Sequence, residues 1–228
     1  MSDLLTCEVA DRVAVLTLNR PDAMNALSRD LRRDLVRALR EMDAREDVGA
    51  VVLTATGRAF SAGLDVKEFG TPDPEPGADR DIGRAFAGLS VPVVAAVQGL
   101  AVTGGFELAL CCDMIVAGRS AQFQDTHVKI GALPGMGMSQ RLTRLVGLPR
   151  AKEIVLSARR LPAEEGAALG FVLKVVEDAE LPAEARALAG AMAGWPKENV
   201  SRLKRLMDEG AALPLGEALA LEGRAVAR

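Results

Sequence analysis

The sequence predicts an α/β fold in which parallel strands alternate with covering helices. Short, β-branched apolar runs at residues 50–55, 93–97 and 114–117 are typical of strands that are buried on both faces. Segments with helical spacing of apolar residues separate these runs. Apolar residues make up 49% of the 228-residue chain, enough for one sizeable core, so one domain is favoured over two small ones.

The first elements are predicted to be two strands and a helix. Residues 4–9 and 13–18 have strand character and flank a tight turn at Asp11 and Arg12. Ser28 is a suitable N-cap for the helix that follows. Its apolar stripe has helical spacing and consists of Leu31, Leu35, Leu39 and Met42. Residues 70–79 are rich in proline and acidic side chains, which predicts a loop that is either a surface connection or a substrate lid.

The chain beyond Pro149 is predicted to be mainly helical. Prolines punctuate the helical segments, and only residues 172–176 have strand character there. The predicted helices cover residues 151–157, 163–168, 183–193, 197–209 and 215–227. Such a tail has more apolar positions than so small a remainder can cover, which indicates contacts between subunits.

The most informative segment is Gly99-Leu-Ala-Val-Thr-Gly-Gly-Phe-Glu107. A buried strand precedes it, and a helix is predicted to begin near Gly104, so its free N–H groups point toward whatever lies above the strand end. Glu107 falls in the first turn of that helix. A carboxylate at this position is stabilised by the helix dipole, and it also suits a base beside an oxyanion hole.

A second segment has the same pattern. The predicted strand at 50–55 leads into residues 58–68, where Gly63 permits a sharp turn and Leu64 presents its N–H at a new helix start. The two turns could therefore donate to one carbonyl oxygen. Each turn taken alone is equally well explained as a plain connection between a strand and a helix.

Together these segments resemble the crotonase superfamily, the enoyl-CoA hydratase/isomerase group. The matching segments are Leu18-Asn-Arg-Pro-Asp-Ala-Met-Asn-Ala-Leu27, Phe60-Ser-Ala-Gly-Leu-Asp-Val-Lys-Glu68, Pro92 to Asp113, and Gly131-Ala-Leu-Pro-Gly-Met-Gly-Met-Ser-Gln-Arg141. The resemblance implies a right-handed superhelix of ββα turns over residues 1–180 and a helical trimerisation region over residues 181–228. It also implies a homotrimer or homohexamer.

The resemblance implies that the Leu64 and Gly104 N–H groups hold a thioester oxygen while enolate character develops. Glu107 matches the first of two glutamates that hold and activate water in the hydratases. The second glutamate is absent, because the chain reads Phe123-Gln-Asp-Thr-His127 where relatives read Phe-Gly-Gln-Pro-Glu. His127 occupies that position, and an imidazole can also donate or accept a proton.

Three functions remain open at this point. Hydration of a trans-2-enoyl-CoA fits best, with Glu107 and His127 as the proton-transfer groups. A Δ3,Δ2-enoyl-CoA isomerase needs one carboxylate that shuttles a proton, and a binding module would hold acyl-CoA without turnover.

Asp125 could orient His127 if both lie on one side of a strand, or it could be a solvated aspartate at the strand end. A hydrolytic triad with Ser139 lacks a nucleophile elbow.

The resemblance also implies which residues contact the substrate. The path of the CoA group is expected along Ala23, Met24, Ala62, Asp65 and Val66, with Lys67 as a candidate phosphate contact. The acyl pocket is expected to include Gly105, Pro134 and Gly135. The CoA belongs to the substrate, and no other cofactor is expected.

Composition argues against several other classes. The net charge of −3, the absence of tyrosine and an aromatic content of 3% disfavour nucleic-acid binding. One histidine and three cysteines, two of them adjacent at Cys111 and Cys112, give no metal-ligand spacing, and the thiols are expected to be buried. Neither a signal peptide nor a transmembrane run is apparent, so a soluble, cytoplasmic protein is expected.

Overall fold

The computed structural model describes residues 3–68, 70–72 and 82–226. Strands and helices alternate through the first two thirds of the chain, which confirms the predicted α/β class. The strands are β1 Leu5–Ala10, β2 Val13–Leu18, β3 Ala50–Ala55, β4 Ala59–Ser61, β5 Val93–Val97, β6 Leu100–Val102, β7 Met114–Gly118, β8 Gln122–Gln124, β9 Arg160–Pro162 and β10 Lys174–Val176. The helices are α1 Arg29–Ala44, α2 Ile82–Ala87, α3 Gly104–Cys111, α4 His127–Ile130, α5 Met138–Val146, α6 Leu148–Ser157, α7 Ala163–Leu169, α8 Leu181–Ala193, α9 Lys197–Gly210 and α10 Leu215–Val226.

The larger sheet has the strand order β1-β2-β3-β5-β7-β10 within the described residues. β1 and β2 form the predicted hairpin, and Asp11 and Arg12 both take positive φ angles, of 49° and 64°, as a two-residue hairpin turn requires. From β2 to β10 all neighbouring strands are parallel. The helices between them supply the crossover connections that parallel pairing needs.

Both faces of the central strands β2, β3, β5 and β7 are covered, which explains why these strands are apolar at nearly every position. Alternate residues of one strand belong to different core clusters: Leu16 packs with α1, whereas Val15 packs with α8. α1 begins at the predicted cap, since the Ser28 hydroxyl accepts a hydrogen bond from Leu31 N at 3.3 Å. The main cluster also contains Phe106, Phe123 and Phe171, whose ring centroids lie 5.1–5.4 Å apart.

The smaller sheet has the order β4-β6-β8-β9 in the described part of the chain. β4, β6 and β8 are parallel, and β9 pairs antiparallel with β8. β9 was not predicted, because three residues that include a proline carry too weak a pattern to be recognised. The predicted strand at 172–176 is shorter than expected and contributes only β10.

The predicted C-terminal helices are all present, with shifted ends. α6 and α8 begin earlier than predicted, because Pro149 and Pro182 lie in their first turns, where a missing N–H is tolerated. α9 and α10 contain no buried residue among those described. The division of the chain at residue 180 and the use of the tail in assembly remain predictions. Most of the predicted loop at 70–79 lies outside the described residues.

None of the helices in the described ranges combines the length and the apolar character that crossing a bilayer requires.

Candidate active site

Three parallel strands of the smaller sheet bring the predicted site residues together. The chain leaves β4 toward Leu64, leaves β6 into Gly104, and leaves β8 toward His127. The carboxyl ends of parallel strands meet at one edge of a sheet, where ligands commonly bind in α/β proteins. The three segments, which are far apart in sequence, therefore converge at one place.

The amides of Leu64 and Gly104 lie side by side. A Cβ built on Gly104 would lie 3.3 Å from Leu64 N. Gly63 has a φ of +89°, and a Cβ on it would approach Val102 O to 2.7 Å, so only glycine fits this turn. Among the described residues, none accepts a hydrogen bond from either Leu64 N or Gly104 N. Two adjacent, unbonded N–H donors can both bond to one oxygen atom, which is what an oxyanion hole requires.

The neighbouring Gly105 has a packing function in the structure. A Cβ on this residue would lie 2.2 Å from Ser61 O, so α3 can approach β4 only if the position is glycine. Gly105 is buried and does not line the cavity described below, although the resemblance had implied a substrate contact there.

Glu107 is a buried carboxylate whose two oxygens have different surroundings. Its side chain is 2% exposed. Oε1 accepts hydrogen bonds from Met136 N at 2.8 Å and from Met138 N at 3.1 Å. Oε2 lies 3.6 Å from His127 Nε2, too far for a direct hydrogen bond. Oε2 is therefore the oxygen available for chemistry.

His127 is held by Asp125. Nδ1 of His127 lies 2.6 Å from Asp125 Oδ1, and the backbone N–H of His127 donates to the same oxygen at 3.0 Å. A carboxylate can only accept, so Nδ1 carries a proton and Nε2 is directed toward Glu107. Asp125 is fully buried, which excludes the alternative of a solvated aspartate, and its Oδ2 has no partner among the described residues.

The predicted reason for this contact was wrong, although the contact exists. β8 ends at Gln124, so Asp125 and His127 do not share a strand face. Asp125 instead lies in the loop, and His127 begins α4, which turns the imidazole back over the carboxylate.

A cavity of about 450 Å³ adjoins these groups. Its polar wall includes Glu107 and His127, and most of the remaining wall is apolar, which suits an acyl chain. The lining residues are Arg32, Ala62, Leu64, Val66, Ile82, Thr103, Glu107, Thr126, His127, Ile130, Ala132, Leu133, Gly135 and Met136.

Only some of the other predicted substrate contacts line the cavity. Ala62, Val66 and Gly135 line the cavity, whereas Pro134 does not. Ala23 closes a short 3₁₀ turn, and the next residue, Met24, accepts a hydrogen bond from Ala62 N at 2.9 Å, which brings this segment beside the cavity wall.

Asp65 and Lys67 lie outside the lining. Asp65 forms an ion pair with Arg20 at 3.1 Å, so its carboxylate joins the segment after β4 to the segment after β2. Lys67 is exposed on a short 3₁₀ turn, and Ser139 is exposed on α5.

Sequence reasoning missed several groups of the site. Thr103 and Thr126 line the cavity, and the main-chain N–H groups of Met136 and Met138 hold Glu107. The glycines at 135 and 137 were the available signal for the latter, since Gly137 takes a φ of +108° and turns the loop toward Glu107.

The adjacent cysteines lie behind this loop. Both thiols are buried, as expected, and the Cys111 thiol donates to Met136 O at 3.4 Å. The expectation is wrong for the third cysteine, because Cys7 on β1 is only partly buried. Burial raises the pKa of Cys111 to about 11 and raises that of Cys112 well above its ordinary value. Neutral thiols of this kind are poor nucleophiles, so they serve as packing groups.

Comparisons with known proteins match nearly the whole chain. The family model described as enoyl-CoA hydratase/isomerase matches residues 8–227. An Arabidopsis thaliana protein named "probable enoyl-CoA hydratase 1, peroxisomal" is 40% identical, over 92% of this chain and 80% of the relative. A Geobacillus kaustophilus enoyl-CoA hydratase subunit superposes with a TM-score of 0.92 at 37% identity, covering 99% of this chain and 90% of that one. A Thermobifida fusca protein assigned as an enoyl-CoA hydratase, solved in complex with CoA, has a TM-score of 0.89 at 30% identity, covering 98% and 91%.

Proposed function

Because the chain belongs to the enoyl-CoA hydratase/isomerase family, we propose that it is an enoyl-CoA hydratase, a lyase that adds water to trans-2-enoyl-CoA thioesters. One observation carries the proposal: two unbonded main-chain amides adjoin a buried Glu107–His127 pair beside an apolar cavity. The CoA complex of the Thermobifida relative supports a CoA thioester as the ligand. The substrate brings its own CoA, and no further cofactor is needed.

The two amides stabilise the charge that the reaction creates. When water adds to the β-carbon, the electron pair of the double bond moves toward the thioester, and its oxygen becomes negative. Leu64 N–H and Gly104 N–H donate to that oxygen. One preorganised donor of this kind typically contributes about 10²–10³ in rate.

Glu107 and His127 move the protons. Oε2 of Glu107 takes a proton from water as the water oxygen bonds to the β-carbon, while Oε1 stays bound to the Met136 and Met138 amides. The protonated His127 gives its Nε2 proton to the α-carbon. The product is a 3-hydroxyacyl-CoA, and a protonated Glu107 and a neutral imidazole remain.

The site returns to its starting state by one further proton transfer. The proton on Glu107 Oε2 passes to His127 Nε2, across a separation of 3.6 Å that a small side-chain movement or one water can close. Asp125 keeps Nδ1 protonated throughout, so Nε2 remains the exchanging nitrogen. Each turnover then consumes one water and restores both side chains.

The direct test follows the absorbance of the conjugated enoyl group. Purified protein should reduce this absorbance when it is given crotonyl-CoA, because hydration removes the double bond. Protein that leaves crotonyl-CoA and longer trans-2-enoyl-CoA thioesters unchanged, at every chain length tried, contradicts the proposal. Recovery of unchanged, tightly bound thioester would identify a binding module instead.

One observation favours a second candidate, the shift of a double bond between carbons 3 and 2. Position 127 carries an imidazole in place of a second carboxylate, and a single free carboxylate oxygen, Glu107 Oε2, is enough to carry one proton between carbons. With a 3-enoyl-CoA substrate, this activity increases the conjugated-enoyl absorbance. The same assay therefore separates the two reactions.

Removal of the Glu107 charge tests its role in either reaction. We expect Glu107→Gln to lower kcat by about 10²–10⁴, because an amide cannot take the proton. The affinity for a saturated acyl-CoA should stay near that of the unsubstituted protein. Glu46→Gln, at an exposed position in the loop after α1, is the matched control. Retained activity in Glu107→Gln would refute the assignment.

We also propose that the chain assembles as a homotrimer or homohexamer. Support comes from α9 and α10, whose described residues are all at least partly exposed and include several large apolar side chains. Burial of such side chains against other subunits would stabilise the tail.

A further inference from the structure

Thr103 has an unusual backbone conformation at the entrance to α3. Its φ of 50° and ψ of −106° form a combination that β-branched residues rarely adopt. The surroundings hold it there, because its N–H donates to Gln124 O at 2.7 Å and its carbonyl accepts from Glu107 N at 2.9 Å. Strain of this kind is concentrated at functional sites, where the neighbouring structure maintains it.

The strained backbone brings the Thr103 hydroxyl to a second threonine. Thr103 Oγ1 lies 2.5 Å from Thr126 Oγ1 and also accepts from Thr126 N at 3.1 Å. Both residues line the cavity, and Thr103 is only 8% exposed. The pair links the turn that precedes α3 to the loop that precedes α4.

A count of hydrogens leaves one donor over. The two hydroxyls carry two hydrogens, and the bond between them uses one. Within the described part of the chain, no acceptor takes the second hydrogen. A largely buried hydroxyl without an acceptor is unfavourable, so the surplus donor is best satisfied by an oxygen that enters the cavity.

The position of the pair indicates which oxygens it can reach. Thr103 directly precedes Gly104, whose amide belongs to the proposed oxyanion hole, and Thr126 directly precedes His127. The surplus hydrogen therefore lies between the group that holds the thioester and the group that donates a proton.

We propose that the Thr103–Thr126 hydroxyl pair donates a hydrogen bond to an oxygen of the bound acyl-CoA, as a third donor beside the Leu64 and Gly104 amides. This inference rests on the proposed function for the identity of the ligand. The acceptor is either the thioester oxygen or the oxygen at the β-carbon of the hydrated product. The strained conformation of Thr103 is retained because it directs the hydroxyl into the cavity.

Substitutions at position 103 separate the hydroxyl from the backbone strain. Thr103→Gly relieves the strain and removes the donor, Thr103→Val keeps the branched side chain without the donor, and Thr103→Ser keeps the hydroxyl. We expect Thr103→Gly to unfold at a temperature no lower than the unsubstituted protein and yet to bind more weakly. The affinity loss should be about tenfold for Gly and Val, the usual effect of one lost hydrogen bond, with Ser close to the unsubstituted protein. Thr6→Val, at an exposed position on β1, is the control.

Two ligands identify the acceptor. Butyryl-CoA has only the thioester oxygen at its reacting end, whereas 3-hydroxybutyryl-CoA also has the β-oxygen. Weaker calorimetric binding of both ligands to Thr103→Gly assigns the donor to the thioester oxygen, and weaker binding of the hydroxylated ligand alone assigns it to the β-oxygen. Unchanged affinity for both ligands in the Gly and Val variants overturns the proposal.

The binding measurement does not depend on turnover. Protein that binds butyryl-CoA but hydrates no enoyl-CoA would refute the hydratase function and leave the hydroxyl proposal to be decided by affinity. Protein that hydrates crotonyl-CoA with full activity and affinity in Thr103→Gly would refute the hydroxyl proposal alone. Protein that binds neither ligand overturns both.

Discussion

At the scale of single residues, Asp125 determines what His127 can do. Its Oδ1 accepts both from the imidazole Nδ1 and from the backbone N–H of His127, so the ring can neither rotate nor exchange its nitrogens freely. Asp125 touches no reacting atom in the proposed reaction and is therefore a positioning residue. An imidazole held in this way presents Nε2 to the cavity in every turnover.

Asp125→Asn tests this positioning role. The amide can donate to Nδ1 and so favour the wrong tautomer, and we expect kcat to fall by about 10²–10⁴. The affinity for butyryl-CoA should remain within about threefold, since the cavity wall is unchanged. The pH profile of kcat should also change shape, an effect that a merely structural role would not produce. Asp22→Asn, exposed in a 3₁₀ turn, serves as the control, and an unaltered profile in Asp125→Asn would contradict the role.

The buried Cys111 thiol should make the folded protein less stable at alkaline pH. Burial raises the pKa of Cys111 from 9.0 to about 11, so the folded protein keeps a proton that the unfolded chain loses. The free energy of unfolding therefore keeps its full value below pH 9. It falls as the pH rises from 9 toward 11, by about 3 kcal/mol for a two-unit shift. Denaturant unfolding of the unsubstituted protein and Cys111→Ala between pH 8 and 10.5 measures the effect. The free energy of unfolding of Cys111→Ala should fall less steeply with pH than that of the unsubstituted protein. An equal fall in both proteins would contradict the prediction.

At the scale of elements, two lysines attach α9 to the core. Lys197 Nζ donates to Asp43 O at 2.6 Å and to Arg45 O at 2.7 Å. Lys204 Nζ lies 2.5 Å from Asp113 Oδ1 and 2.9 Å from Asp208 Oδ2. Burial alone would lower the pKa of Lys204, but the two carboxylates outweigh burial and raise the pKa.

Lys204→Ala should loosen α9 locally. The variant loses the only ammonium that the described structure provides to Asp113, while α9 has no buried residue to compensate. We expect amide hydrogen exchange in α9 and α10 to be about tenfold faster, with the larger sheet unaffected. Lys152→Ala, at an exposed position on α6, is the matched control. Equal protection of α9 in both variants would contradict this attachment.

The elements that the sequence could predict are those that depend on residues close together in the chain. Strands such as β3 and β5 and the start of α3 depend on local patterns, namely apolar runs, the paired glycines and Glu107 in the first turn. The contacts of Glu107 with Met136 N and Met138 N could not be predicted, because they join residues 29 and 31 positions apart and main-chain donors carry no residue-type signal. The hydroxyl contact of Thr103 was likewise hidden, because it requires a φ that threonine does not normally adopt.

At the scale of the whole molecule, the tail of one chain is incompletely covered. Leu203, Met207, Leu215 and Leu219 on α9 and α10 are each more than half exposed. Apolar side chains grouped in this way commonly mark an interface. A single copy of the chain thus leaves surface that further copies can bury.

Light scattering tests the proposed assembly. We expect a native mass of three or six times the 24.0 kDa chain at micromolar concentration. The double substitution Met207→Glu and Leu219→Glu should shift the mass toward one chain, because a buried carboxylate opposes association. Ala179→Glu adds one carboxylate at an exposed loop position and should leave the mass unchanged. A single-chain mass for the unsubstituted protein would refute assembly, whereas an unshifted mass in the double variant would place the contact on another surface.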